Sequence, residues 1–133
     1  MITRPREILA IVALLALGFG TAAAEPPVAQ VEIDYLLGFI EGSGCAFYRN
    51  GSRYDAMQAG SHLREKYAAL AAADRIATSD VFIDKVASQS SLTGRPYEVE
   101  CAGHGRMLTA PWLRAALARF RTEGAPRDLR DAR

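Results

Sequence analysis

The chain has 133 residues, with 16 Lys or Arg against 15 Asp or Glu, two His and two Cys. That length fits one domain with one core. The near-zero net charge speaks against nucleic acid, whose phosphates select a basic surplus.

Residues 1–24 read as a signal peptide. Arg4 and Arg6 give a positive start, 8–19 is an apolar run, and Ala22 and Ala24 are small residues at the cleavage positions. The run is shorter than the roughly 20 residues of a membrane span. An uncleaved anchor is the competing reading. The expectation is a secreted protein of the periplasm that begins near Glu25 and has no membrane insertion after cleavage. Removing 1–24 leaves 14 basic and 14 acidic residues. The expected division is a signal peptide at 1–24, a single globular domain at 25–120 and a charged flexible tail at 121–133. That tail, "RTEGAPRDLRDAR", has one aliphatic residue and alternating charges.

In 29–42, Ile33, Leu36, Leu37 and Ile40 recur at helical spacing, with Tyr35 and Phe39 in an adjacent row. Glu32 and Asp34 lie in the early turns, where negative charge suits the helix dipole. Gly42-Ser43-Gly44 stops the helix. "CAFYRN" alternates and reads as a strand, and Asn50-Gly51 turns the chain. Ser52 to Asp55 offers a capping box for a helix that runs to about Arg75. Ala56, Ala59, Leu63, Tyr67 and Leu70 form its apolar stripe. Gly60 costs that helix about 1 kcal/mol, so it predicts the close approach of another element.

Thr78 or Ser79 caps a shorter helix over 79–89 with Phe82, Ile83, Val86 and Ala87 inside. "SQSSLTGRP" is a turn region. "YEVEC" puts Tyr97, Val99 and Cys101 on one face and Glu98 and Glu100 on the other. "AGHGRML" reads as a loop. Thr109 is the expected cap of a last helix, with Pro111 in its first turn and Leu113, Ala116, Leu117 and Phe120 facing inward.

Export to an oxidising compartment makes a Cys45–Cys101 disulfide the first reading. In an antiparallel pair, Cys45 opposite Cys101 places Phe47 opposite Val99. The bridge closes a loop of about 57 residues, worth roughly 4 kcal/mol in the chain-entropy model. Two readings compete. Cys45, Cys101, His104 and His62 could form a zinc site, or Cys101 could be a thiol activated by His104. The expected assignment has no metal and no cofactor.

No catalytic constellation stands out. Gly42-Ser43-Gly44 lacks the spacing of a nucleophile elbow. Ser88, Ser90 and Ser91 suit a turn. His62 reads as a boundary residue on a polar helix face. Glu98 and Glu100 could serve sugar hydrolysis, but ion pairing with Arg49, Arg53 or Arg106 is the simpler reading. If the cysteines bond, the turns at Asn50-Gly51 and Thr93-Gly94 lie at the same end of the ribbon. Arg49, Asn50, Arg53, Tyr54, Arg95 and Tyr97 then form a candidate binding surface. Tyr48 and Trp112 are further residues of types common at hot spots.

The blocks "IDYLLGFIEGSGCAFYRNGSRYDAMQAGSHLREKY", "IATSDVFIDKVASQSSLTGRPYEVEC" and "APWLRAAL" span 33–117. Their order resembles a family of small exported bacterial proteins of unknown function, the one that includes YfeK. The resemblance implies a signal-bearing, single-domain, disulfide-bonded protein and supplies no catalytic residues.

The expected fold is α+β, mainly α, with about four helices and a two-stranded antiparallel ribbon of 45–49 and 97–101. The expected function is non-catalytic binding of a protein partner or envelope component. The alternative is a cell-wall hydrolase or other small periplasmic enzyme drawing on Glu98, Glu100 or His62.

Overall fold

The computed structural model describes residues 27–125. The expected signal segment and the tail residues 126–133 lie outside them. The elements in chain order are α1 (Val28–Gly42), β1 (Ala46–Arg49), β2 (Ser52–Tyr54), α2 (Ala56–Ala72), α3 (Ser79–Phe82), β3 (Glu98–Glu100), β4 (Met107–Leu108) and α4 (Thr109–Arg119). The fold is α+β and mainly α, as expected, with one correction to the ribbon. It is the centre of a four-stranded antiparallel sheet in the order β2-β1-β3-β4.

Both added strands have local causes. Asn50 and Gly51 have φ of +50° and +81°, and two consecutive positive φ values make a turn whose twist matches paired strands. The chain therefore folds back, and Ser52 lies opposite Arg49. Residues 52–54 extend the sheet rather than start a helix. The capping box sits at Asp55 instead. Its carboxylate accepts from Gln58 N–H at 2.8 Å, and the Gln58 side chain accepts from Asp55 N–H at 3.0 Å. β4 is two exposed residues pairing with Val99 and Glu98, too short for a visible alternation.

The central register matches the parity argument. Phe47 lies opposite Val99 and Ala46 opposite Glu100. Cys45 and Cys101 are bonded, with Cα atoms 4.4 Å apart. The sulfurs are thus not thiolates, which removes both the zinc reading and the activated-thiol reading.

Helix α1 buries Ile33, Leu36, Leu37 and Ile40 completely. Its second aromatic row packs against α4 and the residue after it, with Tyr35 stacked on Phe120 at 4.2 Å and Phe39 tilted against Trp112 at 4.7 Å. Trp112 is therefore a partly buried neighbour of α1. The helix stops where Ser43 Oγ donates to the Ile40 carbonyl at 2.7 Å and Gly44 adopts φ of +65°. Helix α2 ends at Ala72, before the expected Arg75. Gly60 permits the close approach anticipated for it. A Cβ there would lie 2.3 Å from Glu41 Cγ of α1.

Thr78 Oγ1 accepts from Val81 N–H at 3.1 Å and starts α3, which widens into a π turn over Ile83–Ala87. Phe82, Ile83, Val86 and Ala87 are fully buried. Thr109 is not a cap. It is the first residue of α4, and its N–H donates to the Tyr97 carbonyl at 3.0 Å, continuing the β3–β4 ladder. After α4 a second π turn, Phe120–Gly124, carries the chain past the expected boundary at 120. Arg121 in that turn reaches Glu32, which is 2% exposed and not the solvated dipole partner expected.

Candidate functional site

The pleat of β1 sends Phe47 and Arg49 to the inner face of the sheet. Tyr54, opposite Phe47, joins them from β2. Tyr97 lies one residue before β3, where the register brings it opposite Arg49. Helix α2 crosses over this end of the sheet and contributes Met57, Ala59, His62 and Leu63. Between them is a cavity of about 600 Å³, within the range of small-molecule sites. Its walls include Phe47, Met57, Ala59 and Leu63, and Thr109, Gln58, Ser61 and Glu65 also line it.

Four polar tips converge in it. Arg49 Nη1 lies 2.8 Å from His62 Nε2 and 3.0 Å from Nδ1, so the guanidinium caps the imidazole. Arg49 Nη2 donates to Tyr54 Oη at 3.2 Å, and the Tyr54 ring lies 5.1 Å from the guanidinium carbon. Tyr97 Oη is 3.4 Å from His62 Nε2. Lys66 Nζ stands beside Tyr97, 5.2 Å from its ring centre, and donates to the Gln89 carbonyl at 2.7 Å.

The local field is positive. Burial lowers the His62 pKa below its ordinary value, and repulsion from Arg49 and then Lys66 adds to this, with Glu65 opposing. Burial, and then Arg49, also lower Lys66. The hydrogen bond and charge of Arg49 lower the Tyr54 phenol, while burial raises the Tyr97 phenol. The imidazole is thus held neutral near pH 7.

The six residues read from the sequence as one surface fall into three places. Arg49, Tyr54 and Tyr97 turn inward and line the cavity. Arg53 is exposed and lies opposite Tyr48, on the outer face. Arg95 is exposed at the turn, where its Nη1 would lie 3.8 Å from a Cβ on Gly51. Asn50 links the two turns: it donates to Ser90 Oγ at 3.1 Å and accepts from Thr93 Oγ1 at 2.6 Å. The turns are therefore adjacent, as the antiparallel register requires.

His62 belongs with the inward group, although its helix position suggested only a polar boundary. Its one signal in the sequence is the inward i, i+3 relation to Ala59 on the buried stripe. Thr109, read as a cap, is the other omission. It is 1% exposed, and its hydroxyl has no hydrogen-bond partner among the described residues. Glu98 and Glu100 face outward, where Glu100 accepts from Tyr48 Oη at 3.1 Å and Arg106 stacks on the Tyr48 ring. Of the three groups behind the hydrolase alternative, His62 is the one in the cavity. His104 lines a separate hollow of about 460 Å³ beside the disulfide and Trp112.

A family of unknown function, DUF5329, matches residues 27–121. The chain belongs to this family. Its match runs from the first described residue to Arg121, so the DUF5329 domain includes the whole cavity and the anchoring Arg121. Over 51 residues the chain is 51% identical to the uncharacterized protein YfeK of Salmonella typhimurium, a stretch covering 38% of this chain and 41% of YfeK. No solved structure matches the chain.

Proposed function

We propose that this DUF5329 protein is a non-catalytic binding protein of the periplasm, and that the cavity between α2 and the β1–β2 hairpin holds part of a partner protein or envelope component. The observation that carries this reading is the convergence of Arg49, His62, Tyr54 and Tyr97 in an apolar-walled cavity of about 600 Å³. Pockets of this size with a few placed polar groups are the usual form of a ligand site. The arrangement suits binding better than hydrolysis. His62 is capped by a cation, and the paired carboxylates Glu98 and Glu100 sit on the other face of the sheet. Export rests on the charged, apolar and small-residue pattern of 1–24.

A fragment screen by NMR on the ¹⁵N-labelled, disulfide-intact protein tests the site. Bound fragments are expected to shift the amides of Phe47, Arg49, Met57, His62 and Tyr97. Hits confined to the outer sheet face around Tyr48 and Arg106 would refute the reading. The periplasmic part is tested separately by N-terminal sequencing of the protein recovered from its native cells. A start near Glu25 is expected, and a start at Met1 would remove the export argument.

A further inference from the structure

We propose that the ligand of this cavity carries a carboxylate, held by the Arg49 guanidinium, on an apolar body that lies against Phe47, Met57, Ala59 and Leu63. The inference rests on the binding reading above and deepens it to a ligand class.

Three observations lead to it. The first concerns charge. Arg49 is half-buried, and its side-chain partners among the described residues are the Tyr54 phenol and the His62 imidazole rather than a carboxylate. The ion pairs among the described residues join Arg64 to Glu41, Arg114 to Asp84, and Arg121 to Glu32 and Asp80. Arg49 and the neighbouring Lys66 have none. A partly desolvated cation is stabilised by an anion beside it. Here the position of the anion is open to the cavity.

The second observation is a buried polar atom. Thr109 lines the cavity, is 1% exposed, and its hydroxyl has no partner among the described residues. Buried hydroxyls normally find a partner, and one without any calls for an explanation. A rotation of the Thr109 side chain toward the cavity it lines would let a ligand oxygen supply it. The third is the wall. Phe47, Ala59 and Leu63 are buried apolar residues, while Met57 stands 62% exposed among the lining residues. A flexible thioether adapts to an apolar guest.

The chemistry favours a carboxylate over a phosphate. A planar guanidinium matches a carboxylate in fork geometry. Among the lining residues Arg49 is the one cation, because Lys66 is turned to the Gln89 carbonyl, so a dianion would leave its second charge facing Glu65. His62, held neutral, can give one N–H to the same head group while its other nitrogen accepts.

The test is a calorimetric and NMR titration of the purified, disulfide-intact protein at neutral pH. The probes are hexanoate, octanoate, decanoate and 3-phenylpropionate, each against its primary amide. At least one acid is expected to bind about tenfold tighter than its amide, with amide shifts at Arg49, His62 and Tyr97. Arg49→Met is expected to abolish that preference and leave binding of the neutral amide within about twofold. Should Arg49→Met not fold, the acid-to-amide comparison on the wild-type protein decides alone. Acids and amides that bind equally in the cavity would overturn the carboxylate and leave the binding site standing. Binding without any shift at cavity residues would overturn both.

Discussion

Glu32 and Arg121 are 89 residues apart in the chain, and their side chains meet at 2.7 Å. Ser79 Oγ donates to the same carboxylate at 2.5 Å. The contact ties the second turn of α1 and the start of α3 to the turn that follows α4. A carboxylate left buried without its cation costs several kcal/mol, discounted here because Arg121 is one-third exposed. Arg121→Ala is expected to lower stability by about 2 kcal/mol in urea unfolding. Truncation after Phe120 should cost at least as much. A truncated chain of unchanged stability would show that the last turn is dispensable.

The Cys45–Cys101 bond links chain positions 56 apart. Cys45→Ser is expected to lower stability by roughly 2–5 kcal/mol. The bond flanks the register Phe47↔Val99, so the loss should appear first as faster amide exchange at β1 and β3. The oxidised protein should show no free thiol in denaturant. Two free thiols there would contradict the bond.

Gly60 and Glu41 make a test of close packing. Alanine normally stabilises a helix interior by about 1 kcal/mol over glycine. At position 60 its Cβ collides with Glu41 Cγ and displaces the carboxylate from Arg64, 2.5 Å away. Gly60→Ala is therefore expected to give no gain in the wild-type chain. In a Glu41→Ala background it should recover about 1 kcal/mol. Equal effects in both backgrounds, read as urea midpoints, would remove the steric explanation.

His62 makes stability depend on pH. Its pKa lies below the ordinary 6.5, chiefly through burial and then through Arg49 and Lys66, against Glu65. The unfolded chain then takes up the proton first as pH falls. Stability is full above about 6.5, declines between 6.5 and the folded pKa, and is flat below it as far as this group is concerned. His62→Gln is expected to remove the decline. An unchanged pH profile of the urea midpoint would show that the imidazole is solvated rather than packed beneath Arg49.

Local pattern carried much of the fold. The 3.6-residue period marked Ile33, Leu36, Leu37 and Ile40 as one buried face, and α1 buries them all. The export pattern and the two cysteines pointed to the Cys45–Cys101 bond, and alternation in "CAFYRN" and "YEVEC" then set Phe47 opposite Val99. These are short-range rules: a repeat along the backbone specifies which side of an element leaves water. Ser52–Tyr54 escaped them because an edge strand with two exposed residues has no apolar alternation, and it becomes a strand only by lying beside β1.

The tertiary structure alone decided which distant polar tips meet. Arg49, His62 and Tyr97 were each visible, but an inward-facing Arg and a solvated Arg look alike in sequence. Their meeting depends on where α2 crosses the sheet, and α2 also lies close to α1 at Gly60 and Glu41. The same holds for Glu32, whose burial follows from Arg121 being brought back by the π turn after α4. A charged side chain withdraws from water only where a partner or cavity awaits it, and that partner comes from packing rather than from its neighbours in the chain.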